Sequence, residues 1–177
     1  MRLKGKRIAV LVEEGFEDLE YWVPFMRLQE EGAEVFSVGP KRSAVVRGKS
    51  GGLTAEVERA ADEVKPSDVD AIVVPGGWAP DKLRRYPAVV GLVRGVSEQG
   101  KIVGMICHAG LVGISAGIVR GRRATGSLGI KDDLVNAGAT WEDSPAFREG
   151  NLVWGRVVPD IPDFCRELVE AIAEAPV

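Results

Sequence analysis

The chain has 177 residues, with 23 lysines and arginines against 26 aspartates and glutamates, one histidine and two cysteines. That length suits a single domain over 1–177, large enough to bury roughly two thirds of its unfolded surface. A formal charge of -3 without any block of like charges argues against nucleic acid as a partner. The weakly polar run at 109–119 falls well short of the ~20 residues that cross a bilayer, which argues against a membrane.

In chain order, the basic first residues lead into an apolar run that ends in two acids rather than a small-residue cleavage site, so no signal peptide is expected. RIAVLV at 7–12 is a β-branched and aliphatic run suited to a strand buried on both faces. The next stretch, FEDLEYWVPFMRLQEEG, changes to helical periodicity and ends at Gly32, with Pro24 expected to kink it. Further strands are read at 33–39, 71–77 and 101–107, each followed by a turn or helical pattern. Residues 44–58 read as a β-hairpin around SGG. From 139 onward two short strands flank REGN, and IPDFCRELVEAIAEA closes the chain as an amphipathic helix. Strands alternating with helices predict an α/β sandwich built on a mostly parallel sheet covered on both faces.

Several motif readings fail. RGKSGG lacks the glycine that a phosphate loop needs five positions before its GK, because that position is Ser43. GISAG at 113–117 matches the serine-hydrolase elbow, but no histidine follows Ser115, so small residues packing on the sheet explain it better. RGRR at 120–123 reads as a solvated turn. With one histidine and two distant cysteines, neither a disulfide framework nor a zinc site is expected, and the setting expected is a reducing, cytoplasmic one. No metal or cofactor is called for.

Cys107 ends an apolar strand, where ligands bind in open parallel sheets. If 108–117 is helical, the helix N-terminus favours its thiolate. The competing reading is one more small buried apolar residue. Strand three ends in PGG, so Gly76 and Gly77 let backbone approach a ligand, and Gly77 with the His108 amide can form an oxyanion hole. Glu17 and Glu20, one turn apart if both are helical, can face the same cleft, where a protonated glutamate could donate to sulfur. The competing role for these acids is stabilising a helix N-terminus. Tyr21, Trp22 and Trp78 are candidates to wall the cleft, with core packing the alternative. Consecutive helical side chains diverge, so His108 meets the Cys107 sulfur only if the elbow is tight.

In this order, FEDLEYWVPFMRLQEEGAEV, VVPGGWAPDKLR, ICHAG, LVGISAGIVRGR and IKDDLVNAGATW resemble the ThiJ/PfpI superfamily, related to class I glutamine amidotransferases, and within it the PfpI-type intracellular protease branch. The resemblance implies a flavodoxin-like three-layer sandwich with small β-hairpin insertions, a cysteine nucleophile elbow, and a homodimer or a hexamer of dimers. It implies that Cys107 is the nucleophile, His108 its adjacent histidine, and Glu20 the glutamate bonded to the sulfur. Asp81 holds the place of a glutamate that a neighbouring subunit supplies to orient the histidine, and is one methylene shorter. The activities implied are chemistry on small reactive carbonyl compounds or their adducts in the glyoxalase or deglycase sense, a cysteine peptidase or amidase acting on peptides, or a cysteine redox and stress sensor without turnover.

Overall fold

The computed structural model describes residues 1–176. Its elements follow one another as β1 (Arg7–Leu11), α1 (Asp18–Glu30), β2 (Glu34–Gly39), β3 (Val45–Arg47), β4 (Thr54–Glu56), β5 (Arg59–Ala60), β6 (Ala71–Val74), α2 (Ala79–Leu83), α3 (Pro87–Glu98), β7 (Ile102–Ile106), α4 (Gly110–Ala116), β8 (Arg123–Ala124), α5 (Lys131–Asn136), β9 (Thr140–Trp141), β10 (Ala146–Glu149), β11 (Leu152–Gly155) and α6 (Ile161–Glu174).

The central sheet has seven strands in the order β10-β11-β7-β6-β1-β2-β5. Every pairing is parallel except the β10–β11 edge hairpin. All residues of β6 and β7 are buried, as the unbroken apolar runs predict for strands covered on both faces. Helices α1 and α6 cover one face and α3 and α4 the other, giving the three-layer sandwich expected from the sequence. Gly104 in β7 makes room for α6, since a β-carbon there would come to 2.5 Å from Leu168 Cδ2. From β1 the chain moves outward to β2 on one side and to β6 on the other, so a crevice opens at the carboxyl ends between β1 and β6.

The hairpin expected at 44–58 is β3–β4, antiparallel and outside the main sheet. The strands expected to reach residues 77 and 107 stop at Val74 and Ile106, because the chain turns there to form the site. Pro24 does not break α1, which runs on to Glu30 with the ring buried. Ser115 lies inside α4 and accepts from Arg84 Nε at 2.9 Å, while Gly113 packs on Met105, so GISAG is helix packing rather than an elbow. Arg122 and Arg123 of RGRR are bonded to Asn151, Glu142 and Glu149. No described helix is long and apolar enough to cross a membrane.

Candidate active site

Four neighbouring strand ends build one cleft. Beyond β1 come Glu17 and Glu20, beyond β6 Gly77 and Trp78, beyond β7 Cys107 and His108, and beyond β11 Val157, Val158 and Pro159; Ser127 and Lys49 complete a cavity of about 340 Å³.

Cys107 occupies the left-handed region, with φ of 59°. For a residue with a β-carbon this is worth roughly 1–3 kcal/mol of strain, which surrounding contacts must hold. The Ser127 amide donates to the Cys107 carbonyl at 3.1 Å, and Gly126 packs so closely on that carbonyl that a β-carbon would sit 2.5 Å away. Through this elbow β7 passes into a short 3₁₀ turn, Cys107–Ala109, and then α4. The elbow also turns the His108 ring back, so that its Nδ1 lies 3.3 Å from Cys107 Sγ. The divergence of consecutive helical side chains therefore does not apply here.

Glu20 is fully buried. Its Oε1 accepts from the Gly76 amide at 2.8 Å, and its Oε2 has no hydrogen-bond partner. Gly76 is the spacer that lets these groups meet: a β-carbon on it would collide with Glu20 Oε1 and come within 2.8 Å of Cys107 Cβ and 3.1 Å of the His108 amide. Burial first, and the nearby charge of Glu17 second, push the Glu20 carboxyl up to about 7, although it also interacts with the Cys107 thiol. Burial and the charge of Glu20 push the thiol up to about 12, against the pull of the nearby His108 and Gly77 amides. Here the sequence expectation is corrected, since a helix N-terminus alone does not make this cysteine acidic. At neutral pH the thiol therefore keeps its proton while the Glu20 carboxyl is near its midpoint. The unpartnered Oε2 is a buried oxygen that protonation of the carboxyl would relieve. Burial, with the charge of Lys49 adding to it, holds the His108 imidazole below its ordinary range and so keeps it neutral.

Glu17 lines the cleft but works first as the N-cap of α1, its Oε2 accepting from the Leu19 and Glu20 amides at 2.9 and 2.8 Å. Its backbone is extended, so the two glutamates are not successive helical residues. Gly77 has φ of 78°, and its segment bridges to Phe16. The Trp78 amide donates to the Gly15 carbonyl at 2.8 Å, and its ring stands at the mouth, 64% exposed. Tyr21 is buried against Phe16, with ring centroids 5.0 Å apart, and belongs to the core. Asp81 is on α2, exposed and paired with Arg85, and is not part of this chain's cleft lining. Cys165 is buried on α6 beside a separate groove against α1.

Sequence reasoning missed the Val157–Pro159 wall, which the same rule of strand ends, applied to β11, would have found. It also missed Lys49, which a glycine-rich turn disguises as a solvated residue. Among the described residues no group of three histidine, cysteine or acidic side chains could hold a metal ion.

The doubly wound α/β sandwich thus sets a cysteine on a left-handed elbow beside a buried glutamate and the backbone amides of Gly77 and His108. The DJ-1/PfpI family model matches residues 6–171, and the chain belongs to that family. It is similar to the protein named deglycase PYRAB04690 of Pyrococcus abyssi, 42% identical over 166 residues covering 94% of this chain and 99% of that protein. It is 36% identical to protein/nucleic acid deglycase 2 of Escherichia coli over 169 residues, 95% of this chain and 98% of that one. Among solved structures, a two-domain protein of Anabaena variabilis with DJ-1/ThiJ/PfpI-like and ferritin-like domains superposes with a TM-score of 0.92 at 37% identity. The match covers 93% of this chain and 47% of that one, so the likeness spans about half the larger protein.

Proposed function

We propose that this protein is a cysteine-dependent enzyme that acts on small reactive carbonyl compounds or their adducts, in the glyoxalase or deglycase sense. The observation behind the reading is the fully buried Glu20 carboxyl beside the Cys107 thiol, with the amides of Gly77 and His108 close to the sulfur. The relatives named deglycase, similar over nearly their whole length, support the same chemistry.

As the sulfur reacts, the ionised form of Glu20 takes the Cys107 proton, so a thiolate forms beside a protonated carboxyl. On a 2-oxoaldehyde the sulfur attacks the aldehyde carbon: a C–S bond forms, the carbonyl π pair moves to oxygen, and that oxygen takes the Glu20 proton, with the two amides stabilising its developing charge. Glu20, now ionised, or the neutral His108 imidazole then removes the hydrogen on that carbon and returns a proton to the neighbouring carbon through an enediol. The former aldehyde carbon is oxidised to a thioester as the ketone carbon is reduced to an alcohol. Water hydrolyses the thioester to a 2-hydroxy acid and the thiol, so no external oxidant is needed. From an adduct, the amine or thiol already on the aldehyde carbon leaves.

In this reading Gly76 and Trp78 shape the cleft, Glu17 fixes the helix that carries Glu20, and Asp81 acts only through a neighbouring copy in a homo-oligomer, where it would orient His108. The setting is the cytoplasm, in which the free Cys107 and Cys165 stay reduced.

The test assays wild type, Cys107→Ser, Glu20→Gln, His108→Ala and Asp81→Asn side by side on methylglyoxal and on a fluorogenic peptide. Methylglyoxal turnover that disappears with Cys107→Ser, falls steeply with Glu20→Gln and survives Asp81→Asn is expected. Peptide cleavage that depends on Asp81, without carbonyl turnover, would replace this reading with the peptidase one. Turnover of neither substrate would leave the sensor reading.

A further inference from the structure

Lys49 stands at the tip of the β3–β4 hairpin, and the fold takes trouble to keep it there. Its own amide donates to the Phe16 carbonyl at 2.9 Å. On one side Gly48 lies so close to Asp18 that a β-carbon would collide with the carboxylate. On the other side Ser50 donates to that carboxylate twice, from its hydroxyl at 2.7 Å and its amide at 3.1 Å. Asp18 is itself a buried acid in the first turn of α1, so the hairpin tip is fastened to the helix that carries Glu20. A charged residue is rarely buried without a task. The effect of this clamp is to set an exposed lysine on the wall of the Cys107 cleft.

Lys49 is the one lysine or arginine among the described residues that line this cleft, whose other titratable groups are Glu17, Glu20, Cys107 and the neutral His108. Its ammonium has no carboxylate within 4 Å among the described residues. A cation that is clamped by its backbone yet unpaired at its tip is available to a ligand.

We propose that Lys49 recognises a carboxylate on the substrate, so that the cleft selects small electrophilic carbonyl compounds or adducts carrying that anion over neutral ones of the same size. This deepens the carbonyl reading of the site and rests on it for the reaction, but not for the recognition. The direction of the lysine's field agrees, since it acts on Glu20, Cys107 and His108 together.

Alkylation of Cys107 tests the recognition without any turnover. In iodoacetate and iodoacetamide alike, the thiolate sulfur bonds to the methylene carbon and iodide leaves with the C–I electron pair; the reagents differ by a carboxylate against a neutral amide. The rate ratio of iodoacetate to iodoacetamide at Cys107, followed by mass spectrometry of the peptide containing it, cancels changes in the thiol itself. Lys49→Gln is expected to lower this ratio about two- to fivefold, the effect of losing one solvent-exposed ion pair. Lys49→Arg is expected to keep it, and the wild-type ratio should fall with added salt while that of Lys49→Gln does not. An unchanged ratio in Lys49→Gln would overturn the proposal. A selective ratio in a protein that turns over no carbonyl compound would overturn the reaction reading and leave the recognition standing.

Discussion

Replacing Glu20 by Gln separates what this residue does for chemistry from what it does to stability. The fully buried Glu20 holds its proton up to about pH 7 instead of releasing it near 4.5, because burial and Glu17 disfavour the ionised form. At 1.36 kcal/mol per pH unit the difference amounts to about 3 kcal/mol. For an acid raised in the folded state, the folded protein binds the proton more tightly than the unfolded chain. Stability is therefore unaffected below 4.5, declines as pH rises from 4.5 to 7, and is lower by the whole amount above 7. A glutamine of the same shape keeps an oxygen for the Gly76 amide and offers an amide hydrogen toward sulfur, but cannot ionise. Thermal unfolding of both proteins at about pH 4 and about pH 8 should thus show nearly equal midpoints at the lower pH. At the higher pH Glu20→Gln should melt about 6–12 °C above wild type, at roughly 2–4 °C per kcal/mol for a domain of this size. Turnover should move the other way, down about 10²–10⁴-fold, because the proton carrier is gone. A gap between the two midpoints that does not change with pH would refute the assignment of a strained, proton-holding carboxyl.

Gly76→Ala places a methyl into Glu20 Oε1 and within 2.8 Å of Cys107 Cβ, so it should abolish turnover and reduce stability by about 1–3 kcal/mol in denaturant titrations. Asp18→Ala removes the acceptor of both Ser50 hydrogen bonds. Burial pushes this carboxyl up, but the Ser50 hydroxyl and amide bring it net below its ordinary value, so its contribution to stability is present at neutral pH and fades as pH falls through the acid range. The variant should raise proteolysis within residues 47–53 at neutral pH and reduce the alkylation preference that Lys49 gives. Cys165→Ala should leave carbonyl turnover within about twofold of wild type, while the buried thiol it deletes shows as a lowered melting temperature.

The central strands were legible because burial on both faces imposes unbroken aliphatic runs, and β1, β6 and β7 are such runs. The pairs β5 and β8–β9 were not, since two residues carry no periodicity and pair only because the tertiary fold brings them together. Of the candidate site, Cys107, Glu20 and the PGG turn follow from chemistry placed at strand ends, and the structure brings them together around Gly76. The left-handed backbone of Cys107 leaves no mark on residue type, and from it comes the contact between His108 and sulfur. Helix dipole reasoning favoured a thiolate, yet α4 begins only at Gly110 and burial dominates at Cys107. Lys49 was hidden for a related reason, because nothing in RGKSGG shows that the hairpin folds back onto Asp18.

The most direct measurement is intact and peptide mass spectrometry of a reaction with methylglyoxal quenched within the first turnovers. A thioester of the hydroxy acid on Cys107, absent from Cys165 and from the Cys107→Ser protein, with turnover lost in that variant, is the result the mechanism requires. Turnover that proceeds at an undiminished rate in Cys107→Ser, with no adduct on Cys107 in wild type, would contradict it.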